Sequence, residues 1–197
     1  MKAIIKLIEK YNPIGISIDA SLIINNKTGF RNCEIELNKM YRSKYAGCYP
    51  TNLNLYPNSF SVQLYENLKS MHYKMYPNSK WIIECYPHAS IIELFNLNKR
   101  LLYKKGSITT KKEGQILLAK LIKELSTNPI LKLNIKPQLK TTILNSNYIK
   151  QLKGQQLKDN EDALDSIICL YTCALLANNQ SGIFFGNKNS GLVWVPK

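Results

Sequence analysis

Asp159, Asp162 and Asp165 are three of only four aspartates in a chain of 197 residues, and they fall within seven positions. They open the run Asp159-Asn-Glu-Asp-Ala-Leu-Asp-Ser-Ile-Ile-Cys-Leu-Tyr-Thr-Cys-Ala-Leu-Leu-Ala177, which reads as a long helix over about 160–177. The fourth, Asp19, ends the strand-like run Ile14-Gly-Ile-Ser-Ile-Asp19. Lys and Arg number 27 against 13 Asp and Glu, so carboxylates are scarce, and solubility does not explain their concentration beside apolar elements. Carboxylates gathered from a strand end and a helix start commonly hold Mg²⁺ or Mn²⁺ against a phosphate. Asp162 and Asp165, three apart, share one helix face. Asp159 is expected at or before the N-cap. Capping and the helix dipole account for Asp159 and one more acid. They account poorly for Asp165, set among Leu164, Ile167 and Ile168, where an uncompensated buried carboxylate is costly.

The elements that must position these groups follow from periodicity. Ile4, Ile5, Leu7 and Ile8 suit a helix over 2–10, stopped by Pro13. Ile14, Ile16 and Ile18 then supply a buried strand. Residues 20–59 are rich in Asn, Gly, Pro and Tyr, with one helix around Glu34–Arg42, and such a length of irregular chain suggests a functional loop. A helix over 60–73 precedes the short strand Trp81-Ile-Ile-Glu-Cys-Tyr-Pro87, with Glu84 near its end. Further helices are expected at 88–97 and 111–126, with broken helices and loops over 128–158. Ile183-Phe-Phe185 and Leu192-Val-Trp-Val195 flank a hairpin turn. Alternating strands and helices make the class α/β, in one domain over 1–197.

The formal charge of +14 points to polyanionic partners, although Lys, Asn and Ile in such abundance also follow from AT-rich coding. Five cysteines without paired spacing, and only His72 and His88, argue against zinc and for reduced thiols in the cytoplasm. No run approaches the roughly 18 apolar residues of a membrane span, and the N-terminus lacks a signal-peptide pattern. Gly15, Gly29 and Gly47 build no phosphate loop, which disfavours a nucleotide-dependent phosphotransferase.

The helix Asp162-Ala-Leu-Asp-Ser-Ile-Ile-Cys-Leu-Tyr-Thr-Cys-Ala resembles the C-terminal helix of domain-of-unknown-function family 429, predicted nucleases with an RNase H-like, RuvC-like fold. In matching order, Ile16-Ser-Ile-Asp-Ala20 looks like the family's strand ending in Asp, and Arg31-Asn-Cys-Glu34 like its Arg-x-Cys-Asp element with Glu for Asp. Glu84-Cys-Tyr-Pro-His-Ala89, Tyr103-Lys-Lys105 and Gly186-Asn-Lys-Asn-Ser-Gly-Leu-Val-Trp-Val-Pro196 resemble its later segments. The resemblance implies that Asp19, Asp162 and Asp165 ligate Mg²⁺ or Mn²⁺, that Glu84 is a further catalytic candidate, and that Arg31, Lys104 and Lys105 contact nucleic-acid phosphates. Plainer roles stand beside these: Glu34 with Arg31 or Arg42 as a surface ion pair, and Tyr86 and His88 as packing at a strand end. The family begins with a strand carrying an Asp, whereas Met1 here opens on the helix before the later Asp-bearing strand. The expectation is therefore a chain lacking the initial hairpin, through truncation or because another polypeptide supplies it. Such a chain would associate through an open sheet edge, as a homo-oligomer or with a complementing N-terminal segment.

Two functions follow: a metal-dependent nuclease acting on phosphodiester bonds of DNA or RNA, or a non-catalytic nucleic-acid-binding remnant of one.

Overall fold

A computed structural model describes all 197 residues. Its first helix, α1 (Lys2–Tyr11), ends where Asn12 turns left-handed (φ 42°), just ahead of Pro13. The strand β1 (Gly15–Ile18) follows, then an irregular stretch containing α2 (Asn32–Tyr41). Next come α3 (Phe60–Ser70), the two-residue strand β2 (Lys74–Met75) and β3 (Trp81–Glu84). Two helices, α4 (Pro87–Leu94) and α5 (Ile108–Glu124), lead through a 3₁₀ turn (Leu125–Thr127) to the short α6 (Pro137–Thr141) and α7 (Ser146–Gln151). The long α8 (Gly154–Ala177) and the hairpin β4 (Gly182–Asn187) and β5 (Gly191–Pro196) close the chain.

The strands form one mixed sheet in the order β1-β3-β5-β4, with β2 also paired to β3. β1 and β3 run parallel with Ile18 beside Glu84, and β5 joins β3 in parallel while forming an antiparallel hairpin with β4. β1 lies at one edge of the sheet. The fold is α/β. Every residue of β3 and β5 is buried, as strands covered on both faces require. Alternation along β5 sends Val193 and Val195 into a core with Leu37 and Tyr41 of α2 and Ile92 of α4. Leu192 and Trp194 enter the opposite core with Tyr171, Leu175 and Leu176 of α8. A third core, with Leu118 and Ile122 of α5 and Leu164 and Ile168 of α8, pins those two helices together.

One boundary differs from the sequence expectation in a way that matters. α8 starts at Gly154, with Lys153 at the N-cap position and no side-chain cap, rather than near 160. Gln155, Gln156 and Lys158 are good helix formers, and buried Leu157 anchors the first turn. Asp159 is therefore inside the helix, where Gln155 Nε2 donates to it at 2.8 Å, and Asp162 and Asp165 lie deeper still. None of the three caps the helix, so capping does not explain them. β2 went unrecognised because two residues carry no periodicity.

Candidate metal centre

Parallel strands deliver the ends of neighbouring segments to one rim, and here β1 hands over Asp19 where β3 places Glu84. α8 packs across β1 and brings its acidic turns to the same side. A cleft of about 440 Å³ is lined by Asp19, Asp162 and Asp165 together with Ile16, Ile18, Leu64, Leu68 and Cys169. Residues more than 140 positions apart thus converge on one hollow.

Beside it, Glu161, which does not line the cleft, joins Asp162 and Asp165 in a tight acidic group, with one carboxylate oxygen of each within 4.8 Å of the others. Glu161 and Asp165 are buried and Asp162 is exposed. Sequence reading missed Glu161. The signal was its i, i+4 relation to Asp165, which places both on the buried stripe, whereas Asp162 is one residue round the helix. Asp19 stands outside this trio, at the cleft mouth, with its side chain 38 % exposed.

Lys104 joins the two sides. Its Nζ is 2.6 Å from Asp165 Oδ2 and 3.6 Å from Asp19 Oδ2. Tyr103 O–H donates to Asp165 Oδ1 at 2.7 Å. Asp165 Oδ2 is buried, yet no hydrogen bond of acceptable angle reaches it; Lys104 supplies charge at close range without aligned donation. Burial is the main cause that raises the Asp165 carboxyl to about 6; Asp19 adds to it, while Lys104 and the Tyr103 hydroxyl pull the other way. Asp19 is also raised, by burial first and with Lys104 opposing. Burial pulls the Lys104 ammonium down, but Asp165 and Asp19 outweigh it and the net shift is upward. On the outer side of α8, Lys158 pairs with Glu161 and Asp162, both at 2.7 Å, from a half-exposed position.

The turn bearing Lys104 is fixed from behind. Gly114 of α5 lets it close in, since a Cβ there would fall 2.7 Å from the backbone of Leu102 and Tyr103. Fully buried Gln115 donates to Tyr103 O at 3.4 Å and to Leu157 O at 3.1 Å, and accepts from Asn160 Nδ2 at 2.9 Å. This bracket ties the 103–104 turn to α8. Gly114→Ala is accordingly expected to cost about 1–3 kcal/mol through overpacking and to displace Lys104; an unshifted thermal midpoint would show that the backbone can yield.

Arg31, Glu34 and Glu84 form a different unit. Arg31 is only 5 % exposed, and its guanidinium reaches Glu34 Oε1 at 2.8 Å, Glu84 Oε1 at 2.9 Å and Ile23 O at 3.1 Å. Glu84 also accepts from Leu22 N–H at 2.9 Å, and Glu34 from Arg31 N–H at 2.9 Å and Thr51 N–H at 3.1 Å. Glu84 is raised by burial first, with Arg31 pulling the other way. The expected surface pair of Glu34 is thus a buried one, and the Arg31 guanidinium is spent on carboxylates inside the fold. Gly191 of the closing hairpin seals it, since a Cβ there would lie 2.5 Å from Arg31 Nη1. The unit borders a second hollow, of about 220 Å³, that also reaches Asp19 and Tyr49.

Lys105 points outward, its Nζ 4.5 Å from the ring centroid of Tyr49, a side chain that is 72 % exposed. His88 is buried edge-on between Tyr86 and Tyr103. Burial, reinforced by Lys104 and Arg100, lowers its imidazole to about 3 and keeps it neutral.

No helix is long and apolar enough to cross a membrane. Hard divalent cations take oxygen ligands, and the three carboxylates of Glu161, Asp162 and Asp165, the last with a buried oxygen that accepts no aligned hydrogen bond, could hold one. Comparison with curated proteins and with solved structures gives no match. The family model described as protein of unknown function (DUF429) matches residues 3–189, nearly the whole length, and the chain belongs to that family.

Proposed function

We propose that this protein is a divalent-metal-dependent nuclease with an RNase H-like arrangement, acting on phosphodiester bonds of DNA or RNA. The observation that carries the reading is the meeting of Asp19, from the end of a parallel strand, with Asp162 and Asp165, from the crossing helix, in one cleft. Glu161, Asp162 and Asp165 would hold Mg²⁺ or Mn²⁺, with Asp19 facing them across Lys104. A bound ion of this kind polarises a phosphoryl oxygen and makes water a competent nucleophile near neutral pH. The chain's own groups do the rest. Tyr103 orients Asp165 through Oδ1, leaving Oδ2 against the Lys104 ammonium. Lys104 supplies positive charge between the strand and helix acids and so offsets their mutual repulsion. Glu84 serves by holding Arg31 and the 21–34 loop rather than by touching substrate.

Incubating the protein with labelled single- and double-stranded DNA and RNA in Mg²⁺ or Mn²⁺ tests the reading. Cleavage that disappears in EDTA and in Asp19→Ala supports it. Cleavage that Asp19→Ala leaves intact would remove it.

A second reading, the non-catalytic nucleic-acid binder, draws on Lys104, which already neutralises the acids. In either case the phosphate-facing surface is drawn at the outer rim. Lys105, with Tyr49 as a stacking face, is its centre, and Lys104, held inward by two carboxylates, contributes little to counterion release. Lys105→Ala is expected to reduce the slope of log K against log salt by about 0.7–0.9. Tyr49→Ala should weaken single-strand binding by about 1–3 kcal/mol. Filter binding across a salt series measures both, and unchanged slopes would leave the net charge to coding bias.

A further inference from the structure

Resting on the metal-dependent reading above, we infer that this centre takes one divalent cation rather than two, because Lys104 is a built-in second cation. Four carboxylates converge on the cleft and its rim: Asp19, Glu161, Asp162 and Asp165. Two ammonium groups are already paired with them, Lys104 with Asp165 and Asp19, and Lys158 with Glu161 and Asp162. The residual charge of minus two is what one divalent ion balances. Two ions would bring the cluster to a net plus two unless both lysines left.

The lysines are not equivalent. Lys158 is 51 % exposed and held only by partners three and four residues on along its own helix, a kind of contact worth little in water. It can swing out as an ion enters beside Glu161, Asp162 and Asp165, which leaves the centre at minus one with one ion. A second ion would turn it positive while Lys104 stays in place. Lys104 is 22 % exposed, lies against the Tyr103 ring at 5.4 Å and bridges two separate elements, the end of β1 and α8. The turn that carries it is pinned by Gly114 and Gln115. It therefore stays between Asp165 and Asp19, where a second ion would otherwise sit. The buried Asp165 Oδ2 lies 2.6 Å from the Lys104 ammonium, which also faces Asp19 at 3.6 Å, so the side of Asp165 toward β1 already has its cation.

Titration with MnCl₂, following the electron paramagnetic resonance signal of free Mn²⁺, counts bound ions without reference to activity. The wild-type chain should bind one Mn²⁺ per chain, and Asp165→Asn should bind it at least 10-fold more weakly. Lys158→Met should keep the count at one and tighten binding by about 2- to 5-fold, the worth of an exposed ion pair. Lys104→Met should raise the count to two, while Lys104→Arg, which keeps the charge, should hold it at one. Lys104→Gln replaces the methionine variant should that one fail to fold, as judged by circular dichroism. Two ions in the wild type, or an unchanged count and affinity in both neutral Lys104 variants, would overturn the inference and leave the nuclease reading standing. No bound Mn²⁺ in any variant would overturn both.

Discussion

Replacing Arg31 by methionine is expected to destabilise the fold by about 3–5 kcal/mol, the usual cost of stripping one partner from a buried charge network. Arg31 stands between Glu34 and Glu84, both buried, and without it two carboxylates face each other in a pocket closed by Gly191. At roughly 2–4 °C per kcal/mol for a chain of this size, the thermal midpoint should fall by about 6–20 °C. Glu84→Gln should act in the same direction, since it loses the charge that balances the guanidinium but keeps an acceptor for Leu22 N–H. The double variant Arg31→Met, Glu84→Met should recover part of the loss, because removing both partners leaves less uncompensated charge. Thermal unfolding by circular dichroism measures all three. An unchanged midpoint in Arg31→Met, accompanied by loss of nucleic-acid affinity, would instead assign the guanidinium to a phosphate.

Asp165→Asn should do the opposite to stability while removing the proposed metal-dependent cleavage. The Asp165 carboxyl, buried and raised to about 6, binds its proton more tightly in the folded chain than in the unfolded one. The sign follows: the stability linked to that proton is fully present below about pH 4 and is lost as pH rises through about 6. Asparagine resembles the protonated acid and has nothing to lose over that window. In EDTA the variant should match the wild type near pH 4 and exceed it at pH 8 by on the order of 2–3 kcal/mol. The metal-dependent cleavage proposed above should fall by at least about 10²-fold, since Asp165 would be a ligand to the ion and such a ligand is worth several kcal/mol in the transition state. Denaturant melts at both pH values and a cleavage time course test the pair of effects. A variant less stable than wild type at pH 8 would show that Lys104 stabilises the ionised acid more than burial penalises it. Stability gained where function is lost is the usual mark of a site held at a cost.

Much of this was legible in the chain itself. Apolar periodicity located nearly every helix and strand, because burial of one face imposes that pattern locally. The scarcity of aspartate drew attention to all four, the family resemblance to Asp19, Asp162 and Asp165, and the cleft is lined by those three and not by Asp159. What the chain order could not convey is which charged groups face each other. Arg31 and Lys104 both sit in polar loops and read alike as phosphate contacts. Packing buries the first between Glu34 and Glu84 and draws the second to Asp165 and Asp19, partners 53 and 61 positions away in one case from Glu84 and in the other from Asp165. Glu161 was hidden for a related reason: it shares the buried face of Leu157, Leu164, Asp165 and Ile168, while Asp162 lies outward, and only the packing of α8 shows that this face closes over a carboxylate. Periodicity is a local property of sequence, whereas the pairing of charges depends on desolvation, and desolvation is decided only when distant elements close over them.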